Sequence, residues 1–387
     1  MKIAFLTPEY PHPELGSAGG IGTSIKNLAE SLTDLGHSVR ILVYGQKKET
    51  VIHEDNITIQ SIKNVKLKGV SWYATRKKLK RIIDDLFEAK EIDIVEVPDW
   101  TGISSFIQPK KCPLVMRLNG SDTYFCHLDE RPVKLWNKYH EKRALQKADG
   151  HMAVSQFTAD KTNELFGTQI QFIIIPNGIN VKKFQATTAN EADENTILYF
   201  GTLIRKKGLL ELPLIFNKII ARRPQTKLVL LGRDAKDIQT GSASTWQLMQ
   251  PLFSEEALKQ VRYLGGAPYD EVRQHIAAAT VCVFPTFAEA LPVSWLEAMA
   301  LKKAIVASAI GWGPEVMETN KEGFLVHPQD HDSYANAIVE VLDNKEQNRN
   351  FGERAFEKVK AVFDNKLIAE KSLQFYKGII ESKHNGI

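Results

Sequence analysis

Short apolar runs rich in Val, Ile and Leu alternate along the chain with longer stretches whose apolar positions recur every three or four residues. The runs at 2–7, 38–43, 92–97, 113–118, 150–154 and 170–175 predict strands, and the stretches near 23–35, 71–88, 133–147 and 156–165 predict helices. The same order resumes with strands near 196–200, 227–231, 281–284, 304–308 and 323–327 and helices near 208–221, 269–278, 292–301 and 331–343. Alternation of this kind argues α/β layers with mainly parallel sheets. The polar stretch 185–195 reads as the entry to a second domain, which divides the chain into 1–178, 179–365 and a closing segment 366–387. The tail from 346 to 382 reads as helix with one polar side.

The most informative segment lies late in the chain. The run Val281-Cys282-Val283-Phe284 reads as a buried strand ended by Pro285, and Pro292 suits the first position of the helix that follows. That helix is apolar nearly all round, so it should be buried. A carboxylate inside it, Glu297, costs several kcal/mol unless a partner meets it. A backbone group or an arginine is one such partner; a polar ligand at the helix mouth is another. The N–H groups around Leu291, Pro292, Val293 and Ser294 favour an anion there, although Pro292 itself lends none. Glu289, at the strand's end, adds a second group able to grip hydroxyls. Ligands of open α/β sheets bind beyond the carboxyl ends of the strands, where this segment lies.

Composition narrows the class. The 387 residues suffice for two domains, and 43% hydrophobic with 25% charged residues fits a globular chain. No stretch approaches the roughly 18 apolar residues of a membrane span. The apolar start Met1 to Thr7 is too short for a signal peptide and reads as the first strand. Cys112, Cys126 and Cys282 form neither a disulfide framework nor a metal-ligand spacing, so the cytoplasm is the expected compartment. The net charge of +4 is unevenly spread: 63–81 carries eight Lys or Arg and no acid. Its helix has Trp72, Leu79, Ile82, Ile83 and Leu86 for an apolar face. Such a segment either lies against an anionic membrane or an acidic acceptor, or is the solvated face of an ordinary amphipathic helix. It carries no nucleic-acid module, so no nucleic acid is expected.

The glycine-rich loop Gly16-Ser17-Ala18-Gly19-Gly20-Ile21-Gly22 follows a strand and opens a helix, so its N–H groups could cradle an anion. It lacks the spacing of a dinucleotide fingerprint, and the second strand ends at Tyr44-Gly45-Gln46-Lys47 without an acid for a ribose. No Gly-Lys-Ser or Gly-Lys-Thr occurs, which removes a P-loop. A second basic element, Arg205-Lys206-Lys207-Gly208, stands between a strand and a helix. Asp330 and Asp332 have the Asp-x-Asp form of a metal site but precede a helix, where capping explains them better. No metal is expected.

Glu289, seven residues, Glu297 and then Ala298-Met299-Ala300 resembles the signature of the family-4 type of retaining glycosyltransferases. Other segments agree in order: Pro8-Glu9-Tyr10, Gly19-Gly20-Ile21-Gly22, Leu35-Gly36-His37, Pro176-Asn177-Gly178, Gly201-Thr202-Leu203 with Lys207-Gly208, Gly311-Trp312-Gly313-Pro314-Glu315 and Gly323-Phe324-Leu325-Val326. The resemblance implies the GT-B fold, two Rossmann-like doubly wound domains facing across a cleft, with a last helix that braces the first domain. It implies acceptor binding by the first domain and nucleotide-sugar binding by the second. The reaction it implies moves a sugar from a nucleotide-diphospho-sugar to a glycan or lipid-linked acceptor, with neither metal nor cofactor. Glu289 then grips the donor sugar, Lys207 neutralises the diphosphate and Glu297 holds the ribose. Gly19, Gly20, Gly22, Gly201, Leu291, Pro292, Val293 and Ser294 would line the donor. Three departures stand out. Thr202 occupies the place of the usual arginine, so either Arg205 replaces it or Lys207 and backbone act alone. Asn119 stands where a histidine is common and cannot titrate, and Ala290 replaces a glycine. A non-catalytic partner of another transferase and a sugar-nucleotide epimerase remain as alternative readings.

Overall fold

The computed structural model describes residues 1–16, 19–185 and 195–384. Most of the 185–195 stretch, and Ser17 and Ala18 of the first glycine loop, lie outside the described residues. The chain divides into two compact units, Met1–Ile179 with Asn365–Ile387, and Asn180–Asp364. Each is a Rossmann-like α/β layer, the pair of domains that makes up the GT-B fold.

The first unit holds strands β1 (Lys2–Thr7), β2 (Ser38–Gln46), β3 (Thr50–Glu54), β4 (Ile57–Lys63), β5 (Ile94–Pro98), β6 (Leu114–Leu118), β7 (Gly150–Ala153) and β8 (Ile173–Ile174) in the order β3-β4-β2-β1-β5-β6-β7-β8. All neighbours are parallel except β3 and β4. The order reverses direction between β1 and β5. Side chains divide by the two-residue period of a strand. Ile3 and Phe5 point into one buried cluster with Ile25, Leu28 and Leu32 of the helix Gly20–Asp34, while Ala4 and Leu6 point into the other with Leu79 and Ile83.

The helix Asn365–His384 covers the first of these faces through Ile368, Leu373 and Tyr376. Beneath it lies a charge pair that no pattern announced. Arg117 on β6 grips Glu96 on β5 with both arms of its guanidinium (2.8 and 3.2 Å), and also reaches the Ile175 carbonyl at 3.1 Å and the Ser372 hydroxyl at 3.2 Å. The Tyr376 hydroxyl donates to Glu96 as well. Every charged atom has company, which is what lets a pair survive burial. The last helix is thus tied to the sheet by polar bonds as well as apolar contact.

The second unit holds β9 (Thr196–Phe200), β10 (Lys227–Leu231), β11 (Val261–Tyr263), β12 (Val281–Phe284), β13 (Ala304–Ser308) and β14 (Gly323–Val326) in the order β11-β10-β9-β12-β13-β14, all parallel. Here the order reverses between β9 and β12. The helix Val293–Ala300, which leaves β12, is buried from Trp295 onward.

Local readings missed some elements. The hairpin β3–β4 and the short strand β11 were not foreseen: β3 and β11 are edge strands whose polar sequence carries little apolar signal, while β4, inside the sheet, has its isoleucines Ile57, Ile59 and Ile62 set among polar residues. The run at 170–175 pairs only at Ile173–Ile174. The helix expected from 292 begins at Val293, with Pro292 as its N-cap. The expected 208–221 helix is shorter, Leu212–Ile220, and a tight turn Arg205–Lys207 precedes it. The tail breaks into Lys345–Lys358, a wide turn Val359–Phe363 and Asn365–His384. The short helix Asp122–Leu128 was also missed; Ser121 caps it, and the buried carboxylate of Glu141 accepts from the N–H groups of Thr101, Asp122 and Thr123.

Candidate functional site

The loops after β9 and β12 leave adjacent strands at the point where the sheet order reverses, the place where open α/β sheets bind ligands. They are locked together by backbone. Gly208 takes φ +72°, and a Cβ there would come within 1.7 Å of the Pro285 carbonyl oxygen, so only glycine allows the approach. The N–H of Phe287 donates to the Lys206 carbonyl at 2.9 Å. Gly201, at φ +134°, packs as closely on the other side: a Cβ on Gly232 would lie 1.8 Å from its carbonyl oxygen. These contacts hold the Arg205–Lys207 turn beside the Glu289 segment. The Lys207 ammonium and the Glu289 carboxylate form an ion pair across 82 residues of sequence. Both side chains keep some exposure, so the pair is open to a ligand.

Lys206 contributes its carbonyl to the lock. Arg205 points elsewhere: its guanidinium binds Asp237 through Nε (2.8 Å) and a terminal nitrogen (2.9 Å). Asp237 also accepts from the N–H and hydroxyl of Thr240, and these donors hold its carboxyl well below the usual range. Arg205 therefore serves as the clasp of the 234–245 loop. The Thr202 carbonyl accepts from the Tyr199 hydroxyl at 3.0 Å, while the residue itself is exposed.

Glu297 sits in the helix Val293–Ala300 and is 7% exposed. Burial pushes its carboxyl up to about 7; the hydrogen bond from Tyr269 and the charge of Lys207 act the other way. The Tyr269 hydroxyl donates to Oε1 at 2.6 Å. Tyr269 is the residue that sequence reasoning missed, since a tyrosine at a helix start after Pro268 carries no signal of its own. Pro292, as N-cap, supplies no side chain to the first-turn N–H groups, so those of Val293 and Ser294 keep their donor capacity beside Lys207 and Glu289's loop.

The first unit presents a second group of sequence-predicted residues. The Glu9 carboxylate accepts from the Gly22 N–H at 3.2 Å and lies 3.1 Å from where a Cβ on Gly19 would stand. The N-terminus of the helix Gly20–Asp34 is thus occupied by the chain's own anion, as its dipole favours. Gly20 has open space around its Cα. Asn119, half-buried, lines a small recess with Glu96, Arg117 and Asn177, and its N–H donates to Asp99 Oδ1 at 3.0 Å. Asp99 is 4% exposed, its Oδ2 has no hydrogen-bond partner among the described residues, and burial pushes its carboxyl up to about 7.

Comparison with known proteins decides the family. Residues 18–183 match the model described as Glycosyltransferase Family 4, and residues 180–358 match that of Glycosyl transferases group 1. The chain belongs to the GT-B-fold glycosyltransferases. An uncharacterized glycosyltransferase of Methanocaldococcus jannaschii is 22% identical over 98% of each chain. Among solved structures, the sucrose-phosphate synthase of Thermosynechococcus elongatus superposes with a TM-score of 0.78 at 21% identity, covering 99% of this chain and 100% of that one. Anabaena HepE in complex with UDP and glucose gives 0.74 at 18% identity, covering 98% and 100%.

In this glycosyltransferase, then, Lys207, Glu289, Glu297 and the Leu291–Ser294 backbone come together in one unit. Asn119 and Gly19, Gly20 and Gly22 belong to the other. Asp330 caps the helix His331–Asp343 by accepting from the Ser333 N–H at 3.0 Å, and Asp332 pairs with Lys218 at 2.8 Å. Among the described residues no group of three His, Cys, Asp or Glu could hold a metal ion.

Proposed function

We propose that the chain is a retaining glycosyltransferase that moves a sugar from a nucleotide-diphospho-sugar to a glycan or lipid-linked acceptor. The observation that carries the reading is the Lys207–Glu289 ion pair at the reversal point of the second sheet. The pair keeps a cation and an anion ready, each neutralised by the other until a ligand arrives. A diphosphate gives Lys207 a new anionic partner and frees Glu289 to accept from hydroxyls of the sugar. The first-turn N–H groups of Val293 and Ser294 add positive potential beside the phosphate. Glu297, steadied by Tyr269, accepts from a ribose hydroxyl.

The glycosidic bond to the β-phosphate oxygen breaks through an oxocarbenium-like state, and negative charge grows on that oxygen. Lys207 and the N–H groups stabilise it where it develops. The acceptor hydroxyl bonds to the anomeric carbon from the same face, and its proton passes to the departing phosphate oxygen. Neither glutamate has to become a nucleophile. A double displacement through Glu289 would also retain configuration, and a glycosyl adduct on Glu289 would distinguish it. Because Lys207 and backbone dipoles supply the positive charge, and Asp330 and Asp332 are engaged elsewhere, the step needs no metal ion. The three unpaired cysteines support a reducing, cytoplasmic setting.

Arg205 being committed to Asp237, with Thr202 in the usual arginine's place, favours a second reading: a subunit that binds the nucleotide sugar without transferring it. One experiment separates the two. The purified protein is screened by thermal shift against UDP-, GDP- and ADP-sugars, and the best donor is followed in labelled form, with and without EDTA. Turnover that survives EDTA and yields the donor's own anomer supports the proposal. Binding without turnover on any glycan or lipid-linked acceptor favours the second reading, and the inverted anomer refutes retention.

A further inference from the structure

A patch on the first unit lies outside the candidate site and overlaps the basic 63–81 segment only at its start. Leu135 is 81% exposed, Trp136 55% and Tyr139 53%, all at the start of the helix Leu135–Lys147. Beside them, Leu67, Val70 and Tyr73 are exposed at the start of the helix Ser71–Glu88. The rings join the two segments: Trp72 stands 5.2 Å from Trp136 and 5.5 Å from Tyr73, and Trp136 stands 4.5 Å from the ring of His140. His140 is buried and its pKa is lowered to about 4, so the platform beneath Trp136 stays uncharged at neutral pH. Trp136 and Tyr139 thus rest on other rings while about half of each stays exposed.

The charge around the patch is mostly positive. Neither 63–78 nor 131–140 contains an acid, and neither helix has an acid in its own first turn; Asp122, which accepts from the Asn137 side chain at 2.8 Å, and exposed Glu130 are acids at the patch's edge. Lys66, Lys68 and Lys134 are exposed at the rim, and Lys77 lies over the Tyr73 ring. The basic stripe of 63–81 does not act as a whole. Arg76 is buried against the Gly102 carbonyl, Lys78 pairs with Glu49 and Lys80 with Asp84. Its amino-terminal end, with Lys66 and Lys68 exposed, adjoins the aromatic patch, and Arg81 is exposed at the far end.

We infer that this patch docks on the surface of an anionic lipid bilayer, with Leu135, Trp136 and Tyr139 entering the headgroup region and the lysines facing lipid phosphates. Tryptophan and tyrosine favour that interface because one end of each ring system is apolar and the other hydrogen-bonds. An apolar face alone would fit a protein partner as well; the excess of exposed lysines at the rim selects a surface of negative charge.

The test uses the full chain with neither donor nor acceptor, so its outcome is independent of sugar transfer. Co-sedimentation is measured with vesicles of phosphatidylcholine alone and with about one third phosphatidylglycerol. Binding to the second and not the first, weakened by salt, is expected. Leu135→Ala with Trp136→Ala and Tyr139→Ala should lower partitioning at least about tenfold while the variant still melts cooperatively above the assay temperature. Lys66→Gln with Lys68→Gln and Lys134→Gln should lower it about tenfold and erase the preference for anionic lipid. Failure of the wild type to bind anionic vesicles, or equal binding by the apolar variant, overturns the inference. So does self-association in lipid-free solution that the apolar variant abolishes, which would mean that a second copy covers the patch.

Discussion

Glu297→Gln exchanges a buried carboxylate for a neutral side chain of the same shape, leaving Tyr269 an oxygen to donate to. The Glu297 carboxyl rises from its ordinary 4.5 to about 7 in the folded protein, with burial as the largest cause. Each pKa unit is worth about 1.4 kcal/mol. The folded form thus holds its proton over a window in which the unfolded chain has lost it. Because the folded pKa is the raised one, the stability linked to this proton is complete below about 4.5 and is lost as pH climbs through about 7. Glutamine does not titrate there. The variant should match wild type at acid pH and exceed it by about 3 kcal/mol near pH 8, or roughly 6–12 °C in the melting of a unit this size. Asp99 and Glu141, also raised to about 7, belong to the other unit and are present in both proteins, so they cancel in the difference. Calorimetric melts from about pH 4.5 to 8.5 measure the effect, and titration with nucleotide diphosphate completes it. The more stable variant should bind nucleotide more weakly, as befits a charge kept for a ligand at the expense of the fold. A stability difference independent of pH, or a wild type more stable than the variant near pH 8, would refute the argument. Lys207 and Tyr269 would then hold Glu297 ionised.

Three further outcomes follow from the site. Lys207→Ala should slow turnover by roughly two to three orders of magnitude, while Lys206→Ala, which keeps the locking carbonyl, stays near wild type; equal loss in steady-state assays would reassign the cation. Glu289→Gln keeps its shape but loses charge-assisted acceptance, so turnover should fall more than nucleotide affinity does, and calorimetric binding beside rates checks the split. Gly208→Ala puts a methyl into the Pro285 carbonyl at positive φ, so it should destabilise the second unit by several kcal/mol and separate Lys207 from Glu289; an unchanged melt would show that the loop moves freely.

Much of the architecture was legible in local pattern. Periods of two and of three to four residues mark β1, β2, β5, β9, β12 and most long helices, because burial repeats with the geometry of each element. Glu289 and Glu297 stood out for the same local reason: a carboxylate in an apolar helix and another at a strand's end demand partners whatever the rest of the chain does. Which partners they have is a tertiary matter. Lys207 meets Glu289 because β9 lies beside β12, and that follows from the order of strands in the sheet. Arg205, one turn away from Lys207 in a run of three cations, goes to Asp237, and nothing in the run itself distinguishes the two. Glu9 fills the helix end that the glycines of the first loop leave open. Tyr269 reaches Glu297 from another helix, and Arg76 leaves the basic stripe for a buried carbonyl. The hydrophobic effect acts on each residue's own period and is readable one segment at a time. Hydrogen bonds and ion pairs are directional and short, so their assignment waits until the crossovers have set which loop ends stand within about 3 Å of one another.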